Sequence, residues 1–167
     1  VGYGYGKQQA ECAVFQQFDK VPAIAVRIPY VVPTDRLSYY CDCIDNGEPM
    51  AIGDVERRMT FVRCSELGKF MVWAVNQDFS GVVNFGSSGS VSVGDIVGYI
   101  ERKTGCKATI SKDGKAAPFE NNDSFSLNLD VVNGMGYKTS SVDDWIWGAI
   151  DYYINEATKR KKSEGKQ

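Results

Sequence analysis

The chain of 167 residues contains no histidine. Its absence removes Ser-His-Asp and Cys-His catalysis within these residues, because both need an imidazole to move the nucleophile's proton. The five cysteines, Cys12, Cys41, Cys43, Cys64 and Cys106, are odd in number and irregular in spacing. Only Cys41 and Cys43 lie close together, so no region supplies the ligands of a zinc site and no metal is expected. Most of the thiols read as reduced and buried, as in a cytoplasmic protein. No apolar run approaches the roughly 20 residues of a membrane-spanning helix, and no basic-then-apolar leader stands at the start. With 43% hydrophobic and 24% charged residues, the composition is that of a globular domain with a substantial core.

Charge is unevenly placed. Residues 159–167 hold five basic side chains and one acidic one, a net of +4, so the overall −2 leaves −6 on the residues before them. An acidic body argues against a nucleic-acid footprint, and neither nucleic acid nor membrane is expected as a partner. The tail reads as a solvated, disordered end after the last helix.

Hydrophobic periodicity alternates between helix and strand, the α/β pattern. Tyr3 to Phe18 favours helix, with Ala10, Ala13, Val14, Phe15 and Phe18 on its apolar side. Residues 23–28 read as a buried strand ended by Pro29 and Pro33. Asp35 offers an N-cap to a helix with Leu37, Tyr40, Cys41 and Ile44 inward, and Gly47 stops it. Short strands are expected at 50–52 and 59–62, then a helix capped by Ser65 with Leu67, Phe70, Met71, Ala74 and Val75 along one stripe. After a strand at 82–85, Ser92 and Asp95 form a capping box for a helix running to about Lys103. Strands are expected at 107–110 and 125–129, around a polar stretch at 111–124. Ser141 and Asp144 box the last helix, whose Val142, Trp145, Ile146, Ala149, Ile150, Tyr153 and Ile154 keep a helical rhythm.

The chemistry-bearing pair comes at the very start, as Tyr3-Gly4-Tyr5-Gly6-Lys7. Tyr3 and Lys7 are four residues apart, hence one helical turn apart on one face. An ammonium beside a phenol favours the phenolate, which suits such a pair to proton transfer. Taken alone, the pair reads as a surface tyrosine and lysine on an N-terminal helix. The turn Gly86-Ser87-Ser88-Gly89-Ser90 lies between strand and helix like a phosphate cradle, but it lacks the lysine and spacing of a P-loop and reads as structural.

Taken together, these segments resemble the C-terminal half of the extended short-chain dehydrogenase/reductase family, the NAD-dependent epimerases and dehydratases of sugars. Tyr3 to Glu11 is similar to the family's Tyr-Gly-x-x-Lys-x-x-x-Glu helix, and Ala25 to Pro33 to its post-catalytic strand and nicotinamide turn. Val83 to Ser92 is similar to its Asn-hydrophobic-Gly-x-Gly segment, Asn128 to Tyr137 to its Leu-Asp…Leu-Gly segment, and the Trp145 helix to its closing helix. The resemblance implies the second half of a Rossmann-type fold with a small substrate-binding α/β subdomain. Residues 1–34 would finish the nucleotide-binding fold, and 35–158 would mainly form the substrate-binding part. It further implies a longer polypeptide, a catalytic Tyr3 and Lys7, and NAD or NADP met by Tyr3, Lys7, Pro29 and Val31. This chain alone would hold that cofactor weakly or not at all.

The substrate implied is a sugar or nucleotide-sugar, contacted by Tyr30, Arg57 and Arg58. Tyr30 stands about where the family has a sugar-binding asparagine, and Met59 falls where it has a pyrophosphate-clamping arginine, which leaves that work to Arg57 or Arg58. Self-association, or association with a missing N-terminal half, is expected too. The alternative is a non-catalytic fragment or partner-binding module that keeps the fold without the dinucleotide site.

Overall fold

The computed structural model describes residues 2–16, 22–119 and 123–164. Helix α1 (Tyr3–Phe15) is followed by strands β1 (Ile24–Arg27) and β2 (Tyr30–Val32), with Ile28 and Pro29 turning between them. The expected helix residue Phe18 lies outside the described residues. β1 pairs in parallel with β6 (Gly81–Asn84), Ile24 opposite Gly81, and β2 pairs in parallel with β5 (Phe61–Arg63), Tyr30 opposite Phe61. β3 (Pro49–Ala51) lies between β8 (Thr109–Ile110) and β9 (Lys115–Ala116), parallel to both. β4 (Arg58–Met59) runs antiparallel to β7 (Val91–Ser92). The architecture is thus a mixed α/β one with parallel strand pairs.

The run at 59–62, expected as one strand, is divided between two sheets. Thr60 is fully buried at the break and donates its hydroxyl to the Ser87 carbonyl at 2.9 Å, so a polar side chain bends the run without an unpaired group. The segment 125–129 keeps the inward alternation of Phe125, Leu127 and Leu129 but is not a strand. Asn84 Nδ2 donates to the Asn128 carbonyl and the Asp130 N–H donates to Asn128 Oδ1, which turns the chain into the short helix α5 (Asp130–Gly134).

Helix α2 (Asp35–Asn46) is capped by Thr34 rather than Asp35, since Thr34 Oγ1 accepts from the Arg36 N–H at 3.3 Å; Gly47 ends it at φ 69°. Helix α3 (Cys64–Ala74) starts one residue before Ser65, with Arg63 at the cap position. Helix α4 (Val93–Thr104) has the expected reciprocal box between Ser92 and Asp95. The box at Ser141 and Asp144 closes a 3-10 turn over Val142–Asp144, and α6 (Ile146–Glu164) follows. α6 continues past the point where a disordered tail was expected. Arg160 pairs with Asp42, and Lys161 approaches Asp45 at 3.4 Å, so the basic end of α6 is docked on acidic α2 through residue 161. Residues 165–167 lie outside the described residues.

Among the described residues, two buried clusters form the core. The larger packs α2, α4 and α6 over β3, with Leu37, Tyr40, Ile96, Ile100, Ile146 and Ile150 nearly or wholly inaccessible. Each such side chain is worth roughly 1.5–3 kcal/mol of burial. The smaller lies between β1, β5, β6, α3 and α5, around Val62, Phe70, Val83, Phe85 and Val132. The clusters interleave along the chain, because β5, α3, β6 and α5 return to the layer that β1 begins.

Candidate functional site

An open cleft of roughly 750 Å³ lies where α1, the β1–β2 turn and the start of α2 converge. Tyr3 of α1, Ile28, Pro29, Tyr30 and Val31 of the β1–β2 region, Thr34 and Arg36 at the start of α2, and Phe125 and Leu127 line it. Gly86 lets the base pack closely: a Cβ there would sit 2.8 Å from Pro29 Cγ and 2.9 Å from Leu127 Cδ1.

Tyr3 is the first residue of α1 and is 83% exposed. Lys7 follows one turn later, its Nζ 5.4 Å from the Tyr3 ring centroid, so the ammonium stands over the ring. Glu11, a further turn along the same face, accepts from Arg27 Nε at 2.9 Å and is also bonded by Arg27 Nη2. That bond to Arg27 holds the Glu11 carboxyl below its ordinary value and raises Arg27 above its own. Three positions of one helical stripe thus do different work. Tyr3 faces the cleft, Lys7 backs it, and Glu11 fastens the helix to β1.

The cleft base is aromatic. Tyr30 packs against Phe119 at 4.6 Å, Phe125 at 5.6 Å and Phe61 at 5.8 Å between ring centroids. Arg36 lays its guanidinium over two of these rings, 5.2 Å from Tyr30 and 5.7 Å from Phe119. Among the described residues no carboxylate pairs with it. The Thr34 cap that starts its helix is held from α6, where the Tyr153 hydroxyl accepts from the Thr34 N–H at 2.7 Å. Burial raises the Tyr153 hydroxyl above its ordinary value, so it stays neutral in that role.

Of the residues singled out from the sequence, Tyr3, Pro29, Tyr30 and Val31 line the cleft, and Lys7 adjoins Tyr3. Arg57 and Arg58 do not line it. Arg57 Nη1 donates to the Phe119 carbonyl at 3.1 Å. Arg58 Nε donates to Ser90 Oγ at 3.0 Å, its Nη2 bonds the Ser90 carbonyl, and its Nη1 lies 3.5 Å from Asp95. Arg58 therefore straps β4 to the start of α4. Among the described residues, the cation lining the cleft is Arg36, which sequence reasoning missed. Its signal was its place, in the first turn of a helix entered straight from the Pro29–Pro33 segment.

The glycine–serine turn is structural, since Ser87 N–H donates to the Phe61 carbonyl at 3.0 Å and Ser88 N–H to the Ser140 carbonyl at 2.8 Å. Cys41 is buried in α2 and its thiol is pushed up to about 12, chiefly by desolvation, which removes it as a nucleophile near neutral pH. Among the described residues no group of three or more His, Cys, Asp or Glu is placed to hold a metal, and no helix is long and apolar enough to cross a membrane.

No protein-family model and no curated protein matches the chain. Solved structures do. A UDP-glucose 4-epimerase from Thermotoga maritima, solved with UDP-glucose, is 15% identical; the match covers 92% of this chain and 53% of that one, with a TM-score of 0.73. A UDP-N-acetylglucosamine 4-epimerase from Methanobrevibacter ruminantium is 16% identical over 91% of this chain and 54% of its own, with a TM-score of 0.69. An NAD-dependent NDP-hexosamine 5,6-dehydratase of tunicamycin biosynthesis is 20% identical over 89% and 50%, with a TM-score of 0.65. The chain spans about half the length of each. It has the Rossmann-type α/β fold of about half of an extended short-chain dehydrogenase, the fold of the NAD-dependent nucleotide-sugar epimerases and dehydratases.

Proposed function

We propose that this chain supplies the substrate-facing part, and the acid–base tyrosine, of a nicotinamide-dependent epimerase, dehydratase or reductase. Its substrate is a sugar or nucleotide-sugar hydroxyl or ketone. One observation carries the reading: Tyr3 opens α1 on the cleft that also holds the Pro29–Val31 turn and Arg36, with Lys7 one turn behind. The same fold in enzymes solved with nucleotide-sugars and NAD supports it.

The residues present fit one end of NAD or NADP. Pro29 and Val31 offer an apolar wall to a flat ring, and Tyr3 and Lys7 offer donors to a ribose beside it. The glycine–serine turn does not cradle the pyrophosphate, because its N–H groups at Ser87 and Ser88 are already donated. When bound, the nicotinamide supplies hydride transfer. The chain's own residues do the rest. Tyr3 Oη exchanges a proton with the substrate hydroxyl. The aromatic base around Tyr30 keeps water from one face of the substrate, and Arg36 meets its phosphate or carboxylate. Arg57 and Arg58 would reach substrate only by giving up their bonds to Phe119 and Ser90, so Arg36 is the better placed cation. The exposed apolar side chains Val14 on α1 and Met71 and Val72 on α3 suit contact with a nucleotide-binding half or a second copy.

The test is steady-state kinetics of Tyr3→Phe made in the complete enzyme, this chain together with its nucleotide-binding half, with nicotinamide cofactor and UDP-glucose. Turnover is expected to fall by about 10²–10⁴-fold, with cofactor affinity unchanged. Wild-type turnover would sink the assignment. Absence of turnover in the unaltered protein would favour the second reading, a non-catalytic binding module, which the 83% exposure of Tyr3 also suits.

A further inference from the structure

Phe119 is the one non-glycine residue with a left-handed backbone among the described residues, at φ 72°. A bulky side chain enters that region only where its surroundings overdetermine it, and such strain gathers at ligand clamps and active sites. Two hydrogen bonds impose it here. Arg57 Nη1 donates to the Phe119 carbonyl at 3.1 Å, and the Tyr40 hydroxyl donates to the Pro118 carbonyl at 2.6 Å. The outcome is a ring only 5% exposed, 4.6 Å from the Tyr30 ring and 5.7 Å from the Arg36 guanidinium. Tyr30 and Arg36 line the cleft, and Phe119 stands directly behind them.

We infer that Arg57 is a positioning residue of the cleft, holding Phe119 in the left-handed conformation so that its ring sets where Tyr30 and Arg36 meet the substrate. The inference rests on the reading of this cleft as the substrate site. An extended backbone at residue 119 would swing the ring to the other side of the chain, leaving Tyr30 and Arg36 without their backing. Arg57 thus acts on an anionic substrate through Phe119 rather than by touching it. Arg36 is presented already ordered on two rings, which lowers the entropy lost when it binds a phosphate.

The experiment compares Arg57→Ala, Arg57→Lys, Phe119→Gly and the double variant Arg57→Ala/Phe119→Gly with the unaltered protein. Two quantities are read: the ring-current shift of the Tyr30 ring protons without ligand, and calorimetric affinity for UDP-glucose against neutral glucose. Arg57→Ala is expected to remove the Phe119 part of the Tyr30 shift, leaving that of Phe125 and Phe61, and to weaken UDP-glucose binding about tenfold. Arg57→Lys keeps a donor for the Phe119 carbonyl and restores most of both. Phe119→Gly gives the same losses with Arg57 intact, and the double variant is no worse than either single one, as expected of residues acting in series. If Arg57→Ala does not fold, Arg57→Lys and Phe119→Gly decide. An unchanged Tyr30 shift in the Arg57 variants overturns the inference, and so do additive losses in the double variant, which would mean that Arg57 touches the ligand itself. Failure of the unaltered protein to bind UDP-glucose counts against the substrate reading, while the Tyr30 shift still decides whether Arg57 positions Phe119.

Discussion

Helix α6 buries Ile146, Ile150, Tyr153 and Ala157 against α2 and α4, and is further tied by Tyr99 to Asp151 at 2.9 Å and by Arg160 to Asp42. Helix α1 buries none of its residues and is fastened to β1 by the exposed Glu11–Arg27 pair. Yet α1 holds the candidate proton-transfer tyrosine. Helices of this length draw most of their stability from packing rather than from propensity, so α1 depends on whatever covers its open faces. The contrast teaches where to look for motion. The body that shapes the cleft is well buried, and the helix that brings Tyr3 to it, with no buried residue, belongs at the low end of local stability.

The largest effect should come from the cores. Phe70→Ala removes a ring stacked 3.9 Å from Phe85 and should cost about 3–5 kcal/mol in urea denaturation. Val14→Ala on α1, 42% exposed, should change stability by under about 0.5 kcal/mol. Equal losses would break the contrast between the two regions.

A smaller effect is expected at the start of α4, where Ser92→Ala should cost about 1 kcal/mol by removing the cap. Its partner gives the acid dependence. The Ser92 backbone N–H donates to Asp95 and, with a smaller pull from Arg58, holds that carboxyl below its ordinary 3.8. A depressed folded-state value means the contribution is complete above the unfolded value and is lost as pH falls through the folded one. Thermal stability should therefore drop below about pH 4 more steeply in the unaltered protein than in Asp95→Asn. Parallel curves would remove Asp95 from the account.

The smallest global effect, and the most local one, concerns Glu11→Gln. The pair with Arg27 is exposed, so the denaturation midpoint should hardly move, while amide hydrogen exchange in α1 should accelerate. Unchanged exchange would show that α1 is secured by something other than this pair.

The helix starts were legible where cap and box are local. Ser92 with Asp95 and Ser141 with Asp144 signal across three residues, and both boxes are present. Thr34 was passed over for Asp35 because both residues are good caps and the choice depends on which backbone stays extended; Thr34 does, at φ −153°. Phe125, Leu127 and Leu129 show why alternation alone misleads. Their inward pattern is real, but strand pairing needs backbone partners, and Asn84 and Asn128 draw the chain into α5 instead.

The cleft lining was legible as far as Tyr3 and the Pro29–Val31 turn, with Lys7 beside Tyr3, since one helical turn and one proline-bounded strand end are local geometry. The arginines were not. Arg57 and Arg58 stand together in sequence, yet one is drawn to the Phe119 carbonyl and the other to Ser90 and Asp95.

By itself, then, the sequence determined the helix periods, the two capping boxes, the exclusion of histidine chemistry and the Tyr3–Lys7 stripe, all of which are set within a few residues along the chain. Only the tertiary structure decided that Arg36 would be the cleft's cation, that Phe119 would take a strained backbone behind it, and that the basic end of α6 would dock on Asp42 and Asp45. Those contacts join residues up to 118 positions apart, and no local propensity specifies which distant carbonyl, ring or carboxylate a long side chain will meet.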